Sequence, residues 1–522
     1  MSPHREEHNL NGLAGPPPAG HEQRPPDLRR LVRHRRRLVV LLAALALAGA
    51  LVGGVAWLKL YREQPEPAMK ADEQWFMYGS LGGERLQSIP YWIWMVLPRV
   101  FSDLMPGPYG YRSFGVVWEE GVELPVGFTK RTVGFPRIGI NCALCHATSY
   151  RNDERSIPSI AIGGPAHTVD VQGMLRFLAA AANDSRFNAS ALLSEIGVVT
   201  KLSFVDRLLY RFVIIPRTRR ALIEQGQRNS WMDRPTAPNW GPGRQDAPNT
   251  AKYLLAHLPV DGRVGQSDFG SAWNASARDG PALRLNWGGE SPTVNTVLVD
   301  CALAVGARPG REFDADMKRL RQVLGHVQPP RWPFSTDPVL VTAGRGIFER
   351  RCAGCHEQGH ERYGRVVPIE EIGTDRERLE SWTQATADAV NHAIQDRIGA
   401  RRPDLAKTQG YLAQPLDGVW LRAPYLHNGS VPNLRELLEA PEKRSKVFYR
   451  GYDVLDPASV GFKAFPPETP DARREATRTG EDPSRFFRFD TALRGNGNGG
   501  HGYGVDLSPA DKAALLEYLK TL

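Results

Sequence analysis

TAGRGIFERRCAGCH, residues 342–356, ends in the pattern C-x-x-C-H. Two thiols three positions apart can form thioethers to two haem vinyl groups. The next residue, a histidine, then lies beneath the ring, where its imidazole ligates iron. The flanking sequence suits this reading. Asp337-Pro338 predicts a helix start with Pro in the first turn, and Ile347 and Phe348 give that helix an apolar face before the thiols. The chain closes with LSPADKAALLEYLKTL, in which Ser508 predicts an N-cap and Pro509 the first helical residue. Leu515, Leu516 and Leu519 recur at helical spacing beside Tyr518. A helix before the haem crossing the C-terminal helix is the cytochrome c arrangement. Residues 336–522 therefore read as one enlarged cytochrome c domain.

The pattern occurs twice. CALCH at 142–146 repeats it, so four of the five cysteines are Cys142, Cys145, Cys352 and Cys355. A Cys₄ zinc site would join pairs far apart in the chain and would not require a histidine after each. A redox CxxC would not explain the duplication. The reading is two covalent haem c groups, with His146 and His356 as iron ligands. Cys301, inside the apolar run VLVDCALAV, reads as a buried, inert thiol. TVGFPRIGIN precedes the first motif and predicts no amphipathic helix, so residues 61–335 are expected to form a more irregular N-terminal haem domain. The fold class is mainly α with much irregular structure: two cytochrome c-like haem domains preceded by one N-terminal transmembrane helix.

That helix is read from residues 38–58, which are uncharged over a length that crosses roughly 30 Å of hydrocarbon. RRLVRHRRR at 29–37 precedes it, and positive charge stays on the cytoplasmic side. Residues 38–60 are thus expected to be an anchor in a bacterial cytoplasmic membrane, with the bulk of the chain in the periplasm. A cleaved signal sequence is the alternative, since Ala46, Ala48 and Ala50 could suit a protease. Residues 1–37, polar and rich in Arg, read as a disordered cytoplasmic segment. The net charge is +9, and eight Arg against four acidic residues in 1–37 account for nearly half of it. The remainder is too mildly basic to imply nucleic-acid binding.

An electron-relay haem needs a sixth ligand, commonly Met, yet residues 318–522 contain none. The histidines available are His360, His392, His427 and His501. The last lies in GNGNGGHGYG at 495–504, which composition alone makes a mobile loop. No Met or His stands out as a second ligand at the first motif.

Two distant C-x-x-C-H sites followed by PLDGVWLRAPYLHNGSVPNL at 415–434 resemble the di-haem cytochrome c peroxidase superfamily. Within it, WGPGRQDAPN at 240–249, NWGGE at 286–290 and NGGHGYGVDLS at 498–508 most resemble the rubber oxygenase A-like branch. The resemblance implies that the N-terminal haem reacts with hydrogen peroxide or O2 and that the C-terminal haem relays electrons. It implies His501 as the second axial ligand of a bis-His haem. Tyr411, which falls roughly where peroxidases carry Met, is the alternative. It gives His427 a structural role near a haem propionate. Some relatives also hold calcium between domains, which nothing in this sequence marks. The peroxidases carry W-D-G-R above the reactive haem. Here Trp287 keeps the Trp, Gly288-Gly289-Glu290 replaces the rest, and Asp300 is the one carboxylate over 291–307. The candidate catalytic set is Trp287, Glu290 and Arg244. Glu290 either replaces the missing acid–base group or is a salt-bridge residue, and Arg244 either lines the haem or belongs to a packed glycine-rich turn. His167 reads as a satisfied turn residue.

Three functions stand as expectations: a peroxidase-like enzyme fed by a redox partner such as a cytochrome, a dioxygenase cleaving an apolar alkene, or an electron carrier alone. The first is placed slightly ahead, because a membrane anchor suits electron delivery.

Overall fold

The computed structural model describes residues 28–275, 283–399, 404–464 and 485–522. The chain divides into two compact units, Met1–Tyr61 and Arg62–Leu522. In the first, Leu28–Leu60 form one helix. The basic run at 29–37, expected as part of a disordered segment, is therefore helical; residues 1–27 lie outside the described residues. Val32–Leu60 is long and apolar enough to cross a membrane, and a signal sequence near an N-terminus has the same character.

The unit Arg62–Leu522 contains both expected haem segments. Its C-terminal part is organised by two crossing helices. Pro338–Arg351 starts at Asp337, whose carboxylate accepts from the Val339 and Leu340 amides at 2.8 and 3.3 Å. Pro509–Leu519 starts at Ser508, whose hydroxyl accepts from the Asp511 amide at 3.1 Å. Both caps satisfy amides that have no partner within the helix. The helices meet at Gly344, where a Cβ would stand 2.0 Å from the Ala514 carbonyl oxygen. Ile347, Phe348, Leu515 and Leu516 are buried around the crossing, and the Phe348 and Tyr518 rings lie 5.1 Å apart.

The first motif is delivered differently. Phe128–Val133 and Phe135–Ile140 form an antiparallel hairpin turning at Gly134, and Ile89–Pro90 pairs with the second strand. No amphipathic helix leads into the motif, as the sequence implies, and the stretch is mostly strand. Asn141 ends the hairpin and fixes the entry to the motif. Its side-chain oxygen accepts from the Ala143 amide at 3.0 Å, and its amide group donates to the Phe76 and Gly79 carbonyls at 3.0 and 2.9 Å. A single turn, Cys142–Leu144, then presents the thiols.

Three buried ion pairs join the two parts: Arg151–Asp453 at 2.8 Å, Glu290–Arg378 at 2.6 Å and Asp268–Arg450 at 3.0 Å. Such pairs add little net stability but are costly to break from one side.

Candidate functional site

Both C-x-x-C-H turns open onto one cavity of about 1560 Å³. A single small-molecule pocket is typically about 300–1,000 Å³. The cavity wall includes the apolar residues Ile138, Met174, Leu178, Leu222, Val297 and Leu298. Burial pushes the thiols up, Cys142 to about 11, Cys145 to about 12 and Cys352 to about 11. Protonated thiols of this kind are unlike the acidic cysteines of redox CxxC sites.

The two motif histidines are oriented alike. His146 Nδ1 donates to the Gly270 carbonyl at 3.0 Å and His356 Nδ1 to the Gln414 carbonyl at 2.7 Å. A carbonyl only accepts, so Nδ1 carries the proton and Nε2 keeps its lone pair. A backbone partner on the far nitrogen is the usual orienting device for a metal-ligating histidine. Burial lowers both pKa values and keeps the imidazoles neutral.

The His501 ring lies 6.3 Å from that of His356, centroid to centroid. Two imidazoles on opposite sides of one metal ion, each bonded at roughly 2.0–2.1 Å, have centroids about this far apart. The His501 Nδ1 is buried with no hydrogen-bond partner among the described residues. Burial, then His356, pushes its pKa down to about 3. The backbone here is unusual: φ at His501 is 47°, in the left-handed region, which costs a non-glycine residue of order 1 kcal/mol. The loop is held in this conformation from outside. The buried guanidinium of Arg444 donates to the carbonyls of Asn498, Gly500 and His501 at 2.7, 2.9 and 3.3 Å. Asn428 donates to those of Gly495 and Gly497, and the His501 amide bonds the Ile372 carbonyl at 2.7 Å.

The other candidate ligands have other partners. His360 and His392 are exposed beside Glu357 and Asp396, each at 3.5 Å. The Tyr411 hydroxyl donates to the Asp375 carbonyl at 2.9 Å and accepts from the Leu379 amide at 3.2 Å. His427 stacks on Tyr411 with centroids 4.0 Å apart.

The candidate catalytic residues are not brought to one point. Trp287 is on the cavity wall, its indole donating to the Asp268 carbonyl at 2.8 Å. Glu290 is also on the wall, but its carboxylate is held by Arg378 at 2.6 Å and by the Gly288 amide at 3.1 Å. Arg244 is fully buried behind the wall, 3.9 Å from Asp268, with its guanidinium over Phe489. Burial and Arg450 push its pKa down to about 9. Trp287 and Arg244 thus share Asp268 as a partner. His167 is buried, its Nδ1 bonded to Thr148 at 2.8 Å and its ring stacked on Phe462.

Two wall residues matter more than their sequence context suggests. Asp300 projects from the helix Val294–Ala304 into the cavity wall, and burial pushes its carboxyl up to about 6. Cys301 lies beside it on the wall, its thiol raised well above the ordinary value by burial. The one signal for Asp300 is a charged residue in an otherwise apolar run.

Breaking the Glu290–Arg378 pair has a defined expected cost. Arg378→Ala leaves a carboxylate buried without its partner, and thermal unfolding should show a loss of about 3–5 kcal/mol. Adding Glu290→Gln should recover most of it.

Comparison with known proteins adds the family. Residues 410–449 match a family model described as RoxA-like, cytochrome c-like. The uncharacterized protein y4iM of Sinorhizobium fredii is 30% identical over 309 residues, spanning 52% of this chain and 68% of y4iM. The chain belongs to the same family as y4iM. The uncharacterized protein y4iJ of the same organism is 30% identical over 263 residues, which cover 38% of this chain and 41% of y4iJ. The chain thus spans about two fifths of y4iJ. The cytochrome c-like match implies covalently bound haem c. The residues present fit that group: paired buried thiols, a neutral imidazole fixed by a backbone carbonyl, and an apolar cavity beside them. The stretch matched by the family model includes Tyr411 and His427, whose stacked rings stand on the cavity wall of this cytochrome.

Proposed function

We propose that the protein is a membrane-anchored di-haem c-type cytochrome in which one haem reacts and the other relays electrons. Its bulk lies in the periplasm, and a redox partner supplies the electrons. The observation that carries this is an asymmetry. His356 faces a second imidazole, that of His501, at 6.3 Å, whereas no second imidazole is paired with His146 among the described residues. On this reading Cys142, Cys145 and His146 hold one haem, and Cys352, Cys355, His356 and His501 hold the other. A haem with one protein ligand leaves a position for substrate, and a haem with two does not.

The reaction we favour is reduction of hydrogen peroxide to water by two electrons and two protons. The haem, when bound, supplies the iron that takes up peroxide and exchanges electrons. The chain's own part is to hold a proton. Asp300, at about 6, is partly protonated near neutral pH, the condition for a general acid–base group. Glu290, tied to Arg378, acts as a structural anion. Trp287 stands on the cavity wall with its indole fixed on the Asp268 carbonyl, and on this reading it would pack against haem.

A second reading, O2-dependent cleavage of an apolar alkene, is favoured by the many apolar side chains that line the cavity. Turnover separates the two. Each peroxide should oxidise two molecules of a reduced one-electron donor cytochrome, and Asp300→Asn should lower kcat/KM about 10²-fold and remove an inflection near pH 6. Oxygen uptake with an alkene and no donor, with no turnover of peroxide, would replace the first reading by the second.

A further inference from the structure

The segment Phe204–Arg228 is one continuous helical rod: α-helix over Phe204–Leu209, a wider turn over Tyr210–Ile214 and α-helix again over Ile215–Arg228. Its inner face buries Tyr210, Ile214, Ile215 and Leu222. Its outer face should be polar, and at its beginning it is not. Phe204 is 77% exposed and Phe212 67%, with Val205 and Leu208 exposed between them. Phe204, Leu208 and Phe212 are spaced four apart and form one stripe. Val198 and Val199, at the end of the helix Ala189–Val199, are exposed as well. Single exposed apolar residues are ordinary, but six within fifteen positions make a patch.

Charge decides what the patch fits. Lys201, Arg207, Arg211, Arg217 and Arg220 are exposed around it, and Asp206 is the one acidic residue from 200 to 223. Asp206 is itself engaged with Ser203 at 2.6 Å. Phenylalanines and leucine flanked by arginines are the composition of a helix lying in a membrane interface, apolar side chains among the acyl chains and cations at the headgroups. This rests on the proposed membrane anchoring: with the apolar helix that ends at Leu60 as an anchor, the chain enters the compact unit directly, at Arg62.

We propose that residues 198–212 are a membrane-docking surface that seats on a bilayer containing anionic lipid, separate from the N-terminal helix. Phe204, Leu208 and Phe212 enter the interface, and Arg207 and Arg211 meet the headgroups. The far end of the same rod, Thr218, Leu222 and Gln225, forms part of the cavity wall.

The test uses the full-length holoprotein in nanodiscs, in a Cys301→Ala background. Nitroxide labels are placed through Phe204→Cys, Phe212→Cys and, as a water-exposed control, Asp388→Cys. Power saturation with O2 and with a water-soluble nickel chelate reports immersion. In discs containing phosphatidylglycerol, labels at 204 and 212 should show several-fold lower nickel accessibility than the label at 388, and higher oxygen accessibility. Arg207→Glu with Arg211→Glu should return position 204 toward the control. Labels at 204 and 212 that match the control in anionic discs would overturn the proposal. So would shielding accompanied by dipolar broadening between two chains, which would assign the patch to a second copy.

Discussion

Gly344→Ala is expected to disable the C-terminal helix crossing. The new methyl would stand 2.0 Å from the Ala514 carbonyl oxygen and 2.6 Å from its carbon, and both belong to backbone inside a helix. Nothing flexible can yield, so the helices must separate. Alanine's better helix propensity offsets this by about 1 kcal/mol. Overpacking at a site with no slack costs up to about 3 kcal/mol or more. The expected net result is a clearly lowered Tm and a smaller fraction of chains carrying haem on Cys352 and Cys355, read by intact mass. Gly346→Ala is the matched control. Its methyl meets only the end of the Arg350 side chain, at 3.3 Å, and should be neutral or slightly stabilising. Equal losses from both substitutions would show that helix packing is not set at Gly344.

His501→Ala should have the second large effect, on ligation and not on folding. If His501 completes the haem at the second motif, its removal converts that haem from low-spin to high-spin, and added imidazole restores the low-spin spectrum. An unchanged low-spin spectrum would eliminate His501. Arg444→Met gives an independent check. It removes the hydrogen bonds to the Asn498, Gly500 and His501 carbonyls without touching the imidazole. The same spectral change should appear in part, because a left-handed φ at His501 no longer has its support.

The sequence is most legible where structure is set by near neighbours. Asp337-Pro338 and Ser508-Pro509 carry their helix starts in adjacent residues, and the structure begins both helices there. The hairpin before Cys142 is harder, because its strands mix Gly, Pro and Arg and show no clean alternation. Glu290 has no local signal for its role, because its partner Arg378 lies 88 positions away. Sequence groups Arg244 with the haem wall, yet its setting is made by Asp268, Arg450 and Phe489, none of them close in the chain. Composition misjudges the loop 495–504 for the same reason. Its own residues promise freedom, and the side chains that remove it, Arg444 and Asn428, sit outside it.

That arrangement makes the loop sensitive to its length and indifferent to much of its spelling. The grip falls on carbonyls at 495, 497, 498, 500 and 501, so deleting one residue would move every later acceptor out of register. A side chain at Gly502 would meet open space, and one at Gly499 only the Gly373 oxygen at 3.7 Å. Gly500 is the exception, with φ at 75° and the Gly373 carbonyl carbon 2.3 Å from where a Cβ would stand. An insertion or deletion between Gly495 and His501 should therefore be as damaging as losing the histidine, while a serine at 499 or 502 should pass unnoticed.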